Sequence, residues 1–259
     1  MSMNTQKLIA LNILKRSKIS ILFSIITLIS LVGYPKLAQS DETNINNQSA
    51  TDILKDAYNN RYVWNKDFPG YTANVSATYN NQEDKGSIEV SPQLKVKVKN
   101  VENSEIADLI RGQIMMEVNH RQSIPYEQLH GQNTLVIKNI ESTTASIEEK
   151  GKDGALYKIK DRVILQVDRS MPNNMTVTVD TLETNKTSDG YLASEYLSTL
   201  KNINTNELIQ EAYSIDDHEK VGNFYLLNSR RIYLSKVPDK NSQADISIKF
   251  DNFKLGVTE

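Results

Sequence analysis

The chain has 259 residues, of which 39% are hydrophobic and 24% charged, with no cysteine, three histidines and a formal net charge of −2. That length is ample for a buried core without disulfide or metal staples. The near-neutral balance argues against a nucleic-acid binder, which normally carries a strong basic excess. The missing cysteines exclude thiol catalysis, thiolate metal sites and iron–sulfur chemistry.

The first forty residues read as an address. All charges before Asp41 are positive (Lys7, Lys15, Arg16, Lys18 and Lys36), and the run Ile19 to Val32 is apolar apart from Ser20, Ser24, Thr27 and Ser30. Gly33, Tyr34 and Pro35 then break the helix, and Ala38-Gln39-Ser40 supplies the small residues that a signal peptidase needs. Residues 1–40 are therefore expected to be a secretory signal peptide, cut before Asp41, with the periplasm or a thylakoid lumen as destination. The run is shorter than a spanning helix requires. An uncleaved anchor is the alternative, and otherwise membrane contact is expected only in transit. The five cations before Asp41 leave 25 basic against 32 acidic residues from Asp41 onward, a net of −7.

Residues 41–48 are polar and asparagine-rich, the pattern of a flexible leader. Ser49 sits three residues before Asp52, and Ile53, Leu54, Ala57 and Tyr58 follow at helical spacing, which predicts a helix ending near Arg61. Next comes an aromatic turn, Arg61 to Tyr71, with the only tryptophan of the chain. From Tyr71 the period is two: Tyr71, Ala73, Val75, Ala77 and Tyr79 share one face of a strand. A second strand carries Ile88 and Val90, and a third alternates Leu94, Val96 and Val98 with Lys95, Lys97 and Lys99. The lysine stripe reads as a solvent face, although it also suits anionic headgroups.

Ser104 to His120 returns to helical period, with Ser104 as cap and Ile106, Leu109, Ile110, Ile114 and Val118 as an apolar stripe. Pro125 and Gly131 bracket a short connection. Beyond it the pattern is strand throughout: Leu135–Ile140, Ala145–Lys150, Leu156–Lys160, Val163–Val167, Met175–Leu182, Tyr191–Leu200, Leu208–Ile215, Phe224–Leu234 and Ile246–Leu255. Ten to twelve strands and two helices predict an α+β fold, mainly antiparallel β: a strongly curved sheet or half-open barrel with helices on one side. No composition break divides residues 49–259, so one β-rich domain is expected.

Signals for chemistry are few. There is no nucleophile elbow, P-loop, dinucleotide fingerprint or zincin motif. His218 stands among acids in Asp216-Asp217-His218-Glu219, where a metal site is conceivable, but such a run more often marks a solvated hairpin turn. No cofactor, metal or catalytic residue is expected. Tyr62, Trp64, Phe68 and Tyr71 fit either the mouth of an apolar ligand pocket or a plug that closes the helix-to-sheet junction. Aromatic groups beside Pro-Gly turns are more often core.

The stretch from Asp56 to Tyr71 resembles the opening of an uncharacterised family found largely in cyanobacteria, the domain-of-unknown-function family 3386. The resemblance continues at Arg111-Gly112-Gln113, at His130 to Thr134, at Tyr157 to Asp161, at Gly190-Tyr191-Leu192, at Lys220 to Tyr225 and at Phe250 to Leu255. It implies no activity. Relatives carry histidines around the segment that here reads Val167 to Pro172, where this chain has none, so the resemblance carries no metal role over. The order of helix, long strand and lysine-rich strand is also similar at fold level to bacterial lipoprotein carriers, whose incomplete barrels shelter an acyl chain. Three functions follow as expectations: a non-enzymatic exported protein that binds a lipid or other apolar ligand, an accessory factor that binds an envelope or thylakoid protein through a self-filled barrel, or, least supported, a hydrolase.

Overall fold

The structure, a computed structural model, describes residues 48–151, 154–234, 238–239 and 242–256. The expected signal peptide and all of the leader but Gln48 lie outside these residues.

Helix α1 (Ala50–Asn59) starts where Ser49 Oγ accepts the Asp52 amide at 3.1 Å, and it buries Ile53, Leu54, Ala57 and Tyr58. It is followed by β1 (Tyr71–Tyr79), β2 (Gln82–Val90) and β3 (Val96–Lys99). Leu94 was expected in the third strand but belongs to the turn before it, at φ +62°. Helix α2 (Ser104–Arg121) is capped not by Ser104 but by Asn103, whose Oδ1 accepts the amides of Glu105 and Ile106. Its expected stripe is buried. The connection between Pro125 and Gly131 holds a further helix, α3 (Tyr126–His130), too short for any periodic signal.

Nine strands complete the chain: β4 (Thr134–Glu141), β5 (Thr144–Lys150), β6 (Ala155–Lys160), β7 (Val163–Met171), β8 (Met175–Thr187), β9 (Gly190–Asn202), β10 (Leu208–Val221), β11 (Phe224–Leu234) and β12 (Ile246–Leu255). All twelve form one sheet in the order β3-β2-β1-β12-β11-β10-β9-β8-β7-β6-β5-β4, every pairing antiparallel. This is the order of an up-and-down barrel, with β12 returning to β1 as closure demands. The seam lies between β3 and β4, where α2 and α3 stand in the chain in place of a hairpin. The fold is thus the expected α+β half barrel.

The expected turn at Asp216 to Glu219 is instead the interior of β10, whose pairing with β11 shifts register between Asp217 and His218. Asp216 is 3% exposed, because an arginine on the neighbouring strand compensates its charge. Charge density by itself does not distinguish a wet turn from a buried ion pair.

Two apolar clusters fill the fold. One joins α2 to β1, β2, β11 and β12 with the aromatic segment; the other joins α1 and α3 to β5 and β6.

Candidate functional site

Residues 60–71 form a strap across one end of the sheet. Gly190, at φ +135°, permits its close approach: a Cβ there would stand 2.5 Å from the Asn60 carbonyl oxygen. The Tyr191 amide donates to that oxygen and the Tyr62 amide donates back to the Tyr191 carbonyl, at 2.9 and 2.8 Å. Tyr62 Oη accepts the Tyr225 amide, and Trp64 Nε1 donates to the Tyr225 carbonyl at 3.0 Å. Trp64 stacks on Phe68 with ring centroids 4.1 Å apart, and Phe68 meets Phe224 edge-on.

The structure thus brings Tyr62, Trp64, Phe68 and Tyr71 together and buries all four, Tyr71 completely. Burial pushes the Tyr71 hydroxyl pKa up, reinforced by the nearby Glu117. A cleft of about 160 Å³ lies beside the cluster, lined by Trp64, Lys66, Phe68, Leu94, Arg121 and Ser123 among others. Pockets for small molecules are generally larger, about 300–1,000 Å³.

Behind the strap, α2 is fastened to the sheet by charge. Arg230 on β11 grips Asp216 with both arms of its fork, Nε to Oδ1 at 2.7 Å and Nη2 to Oδ2 at 2.5 Å. Its Nη1 reaches Gln113 of α2, and Nη2 lies 3.7 Å from Glu117 Oε2. Arg121 Nε donates to Glu117 Oε1 at 2.7 Å, and His218 Nε2 stands 3.2 Å from the same oxygen. Burial opposes ionisation of Glu117, but Arg121, His218 and Arg230 outweigh it and hold its pKa well below the usual range. For Arg230, burial disfavours the charge, and Asp216 more than restores it.

Glu117, Asp216 and His218 place ligand atoms within 4.8 Å of one another, as a metal site would. Sequence reasoning singled out Asp216 and His218 but missed Glu117, which comes from a helix about a hundred residues earlier. A divalent ion does not fit this set. The two carboxylates are already matched by two guanidiniums, and further cationic charge in a buried site would be uncompensated. The arrangement is a buried ionic bolt between α2 and the sheet.

A second network lies under α3. Glu149 Oε1 meets His130 Nδ1 at 2.6 Å and accepts Asn133 Nδ2 at 2.8 Å, while Oε2 accepts the Tyr157 hydroxyl at 2.8 Å. Arg169 Nη2 donates to that hydroxyl at 3.0 Å. Burial would raise the Glu149 pKa, but His130, Asn133 and Tyr157 together bring it to about 2. Burial pushes Tyr157 up to about 12. His130 and Glu149 have the relation of a base and its orienting acid. Among the described residues, however, no serine or threonine hydroxyl is hydrogen-bonded to His130 or His218, whose ring nitrogens meet Glu149, and Glu117 and Arg121, respectively. Glu149 carried no sequence signal, since it sits in the alternating pattern of an ordinary strand.

The class defined here is an open antiparallel meander with helices on one face, held by two buried polar networks. A family described as "Protein of unknown function (DUF3386)" matches residues 45–255, and the chain belongs to it. No curated protein matches the sequence significantly. Among solved structures, "Crystal structure of MucB in complex with MucA(peri)" is similar at 8% identity and a TM-score of 0.20, covering 81% of this chain and 99% of that one. "The complex structure of Pseudomonas aeruginosa MucA/MucB" has 7% identity and a TM-score of 0.23 with the same coverage. Values this low carry no argument about the present chain.

Proposed function

We propose that the chain is a non-enzymatic exported protein that binds another protein of the cell envelope, using a half barrel filled by its own helices as a rigid scaffold. The observation that supports this is the packing of the sheet's helix-bearing face. Ile106, Leu109, Ile110 and Ile114 of α2, with Ile53, Leu54 and Ala57 of α1, occupy the surface along which a sheltered acyl chain would lie, and all are buried. The cleft beside Trp64 and Phe68 is small for such a guest. The basic and apolar residues before Asp41 support export. One continuous sheet supports residues 49–259 as a single unit.

A lipid or other apolar ligand at Tyr62, Trp64, Phe68 and Tyr71 is the competing reading, and it requires the strap or α2 to move aside. Native mass spectrometry of the exported protein, with lipid extraction and titration by an apolar fluorescent probe, separates the two. A ligand-free mass without saturable probe binding is the expected result. A co-purified lipid, or saturable binding abolished by Trp64→Ala, would establish a carrier instead. Export itself is tested by a reporter fused after Asp41, which should be found outside the cytoplasm.

A further inference from the structure

The open seam leaves two strand edges, and they are not alike. Strand β3 has four residues, and α2 packs against it. Strand β4 has eight, and among the described residues nothing in the chain hydrogen-bonds to the backbone along its far side. Such an edge is a template for another strand, and native sheets usually guard it with a lysine or a bulge. Strand β4 has both, yet its lysine does not stand guard: Lys138 Nζ reaches back to Glu148 of β5 at 3.2 Å.

The apolar row of β4 is unfinished. Leu135, Ile137 and Ile140 lie opposite Glu149, Ile147 and Ala145, three buried residues on the helix-bearing face. They pack against the cluster under α1 but stay half-buried, because no strand stands beyond them. Val136, Asn139 and Glu141 lie opposite Glu148, Ser146 and Thr144 on the other face. The bulge at Lys138 shifts the phase, so the helix-facing residues are odd-numbered before it and even-numbered after it.

That shift makes the strand complementary to itself. Two β4 strands can pair antiparallel about a two-fold axis with all eight residues overlapped. Thr134 then stands opposite Glu141 of the second copy, Leu135 opposite Ile140, and Val136 opposite Asn139. Each of these pairs lies on one face of the joined sheet. Without the bulge the same register would set helix-facing residues against solvent-facing ones, because a one-residue shift exchanges the faces of a strand. Like charges directly opposite are avoided throughout. At the centre the two bulges meet, with Ile137 against Lys138.

We infer that two copies of the chain pair through β4, antiparallel and in full register, joining two half barrels into one continuous sheet. The half-buried rows Leu135, Ile137 and Ile140 then cover each other. The contact is one strand pair wide, less than permanent dimers bury, so it forms and parts with concentration.

The absence of cysteine makes a direct test simple. Val136→Cys and Asn139→Cys chains of the exported protein are mixed and oxidised, and the products are weighed by mass spectrometry. The mixed disulfide should exceed either symmetric one well beyond random pairing, and Lys97→Cys on β3 should stay largely uncoupled. Sedimentation of the cysteine-free protein should show a monomer–dimer equilibrium. Val136→Lys combined with Asn139→Lys sets like charges opposite each other between copies, while within the chain position 136 faces Glu148. This variant should raise the dissociation constant at least about tenfold with an unchanged circular dichroism spectrum. A monomer at every concentration, with no preference for the mixed disulfide, would overturn the inference. So would a dimer that the double variant leaves intact, or a foreign segment that shields β4 of a monomeric chain from amide exchange. The pairing leaves the helices and the aromatic strap untouched, so it can fail without the proposed function failing.

Discussion

Under α1 the sheet meets a short helix with one clean apolar stripe, and the polar network beside it contains a single buried carboxylate served by His130, Asn133 and Tyr157. Under α2 it meets an 18-residue helix that buries Gln113, Glu117 and Arg121 as well as its isoleucines and leucine. The first helix packs mainly through apolar area. The second exposes less of its circumference to water, so its polar residues have to be matched from the sheet by Asp216, His218 and Arg230. A buried ion pair of this kind adds little net stability over an apolar contact of similar shape, yet it is costly to break. Its value is specificity: only one rotation and one height of α2 align Glu117 and Gln113 with Arg230.

The contrast can be broken most severely at Glu117. Glu117→Ala strands Arg121 and part of Arg230 in the interior, and a loss of about 3–5 kcal/mol is expected in urea denaturation. A loss below about 1 kcal/mol would show that water reaches the network. On the other side, Leu54→Ala removes a fully buried side chain of α1 and should cost about 2–4 kcal/mol, with no ionic component and hence little dependence on salt.

A pH titration sharpens the difference further. The Glu149 pKa of about 2 lies below the ordinary carboxylate value. Its contribution to stability is therefore complete above about pH 4.5 and is lost as pH falls toward 2, an effect of about 3 kcal/mol. Denaturation midpoints for Glu149→Gln should lack that part of the acid dependence while the part due to Glu117 persists. The smallest effects belong to the caps: Ser49→Ala and Asn103→Ala should each cost about 1 kcal/mol, and amide exchange should show fraying confined to the first turn of the helix affected.

Much of the scaffold was legible because its rules are local. The alternation from Tyr71 to Tyr79 marks β1 at both ends, and the bounds of β11 and β12 also agree with the pattern. The Ser49 cap is read from four residues. Legibility failed where a local signal had two physical meanings. Asp216 to Glu219 has the composition of a wet turn, and only Arg230, on the neighbouring strand, makes it the interior of β10. Asn103 and Ser104 are both good caps, and the Asp84 carboxylate, which accepts the Asn103 amide at 2.7 Å, holds Asn103 in the capping position. Strands β7 to β10 run past the expected limits because neighbouring strands satisfy backbone groups that polar side chains alone gave no reason to extend.

The aromatic segment shows the same division. Composition alone identified Tyr62, Trp64, Phe68 and Tyr71 as a unit, but their burial depends on Gly190 and Tyr225, far along the chain. By itself the sequence determined the strands, the two longer helices, the antiparallel class and the family, because period, turn chemistry and landmark order are carried within short stretches. Only the tertiary structure decided that the barrel stays open between β3 and β4, that its helices fill it, and which charges are buried. Those outcomes depend on pairings between residues tens to more than a hundred positions apart, and the free energy of a buried charge is set by its partner.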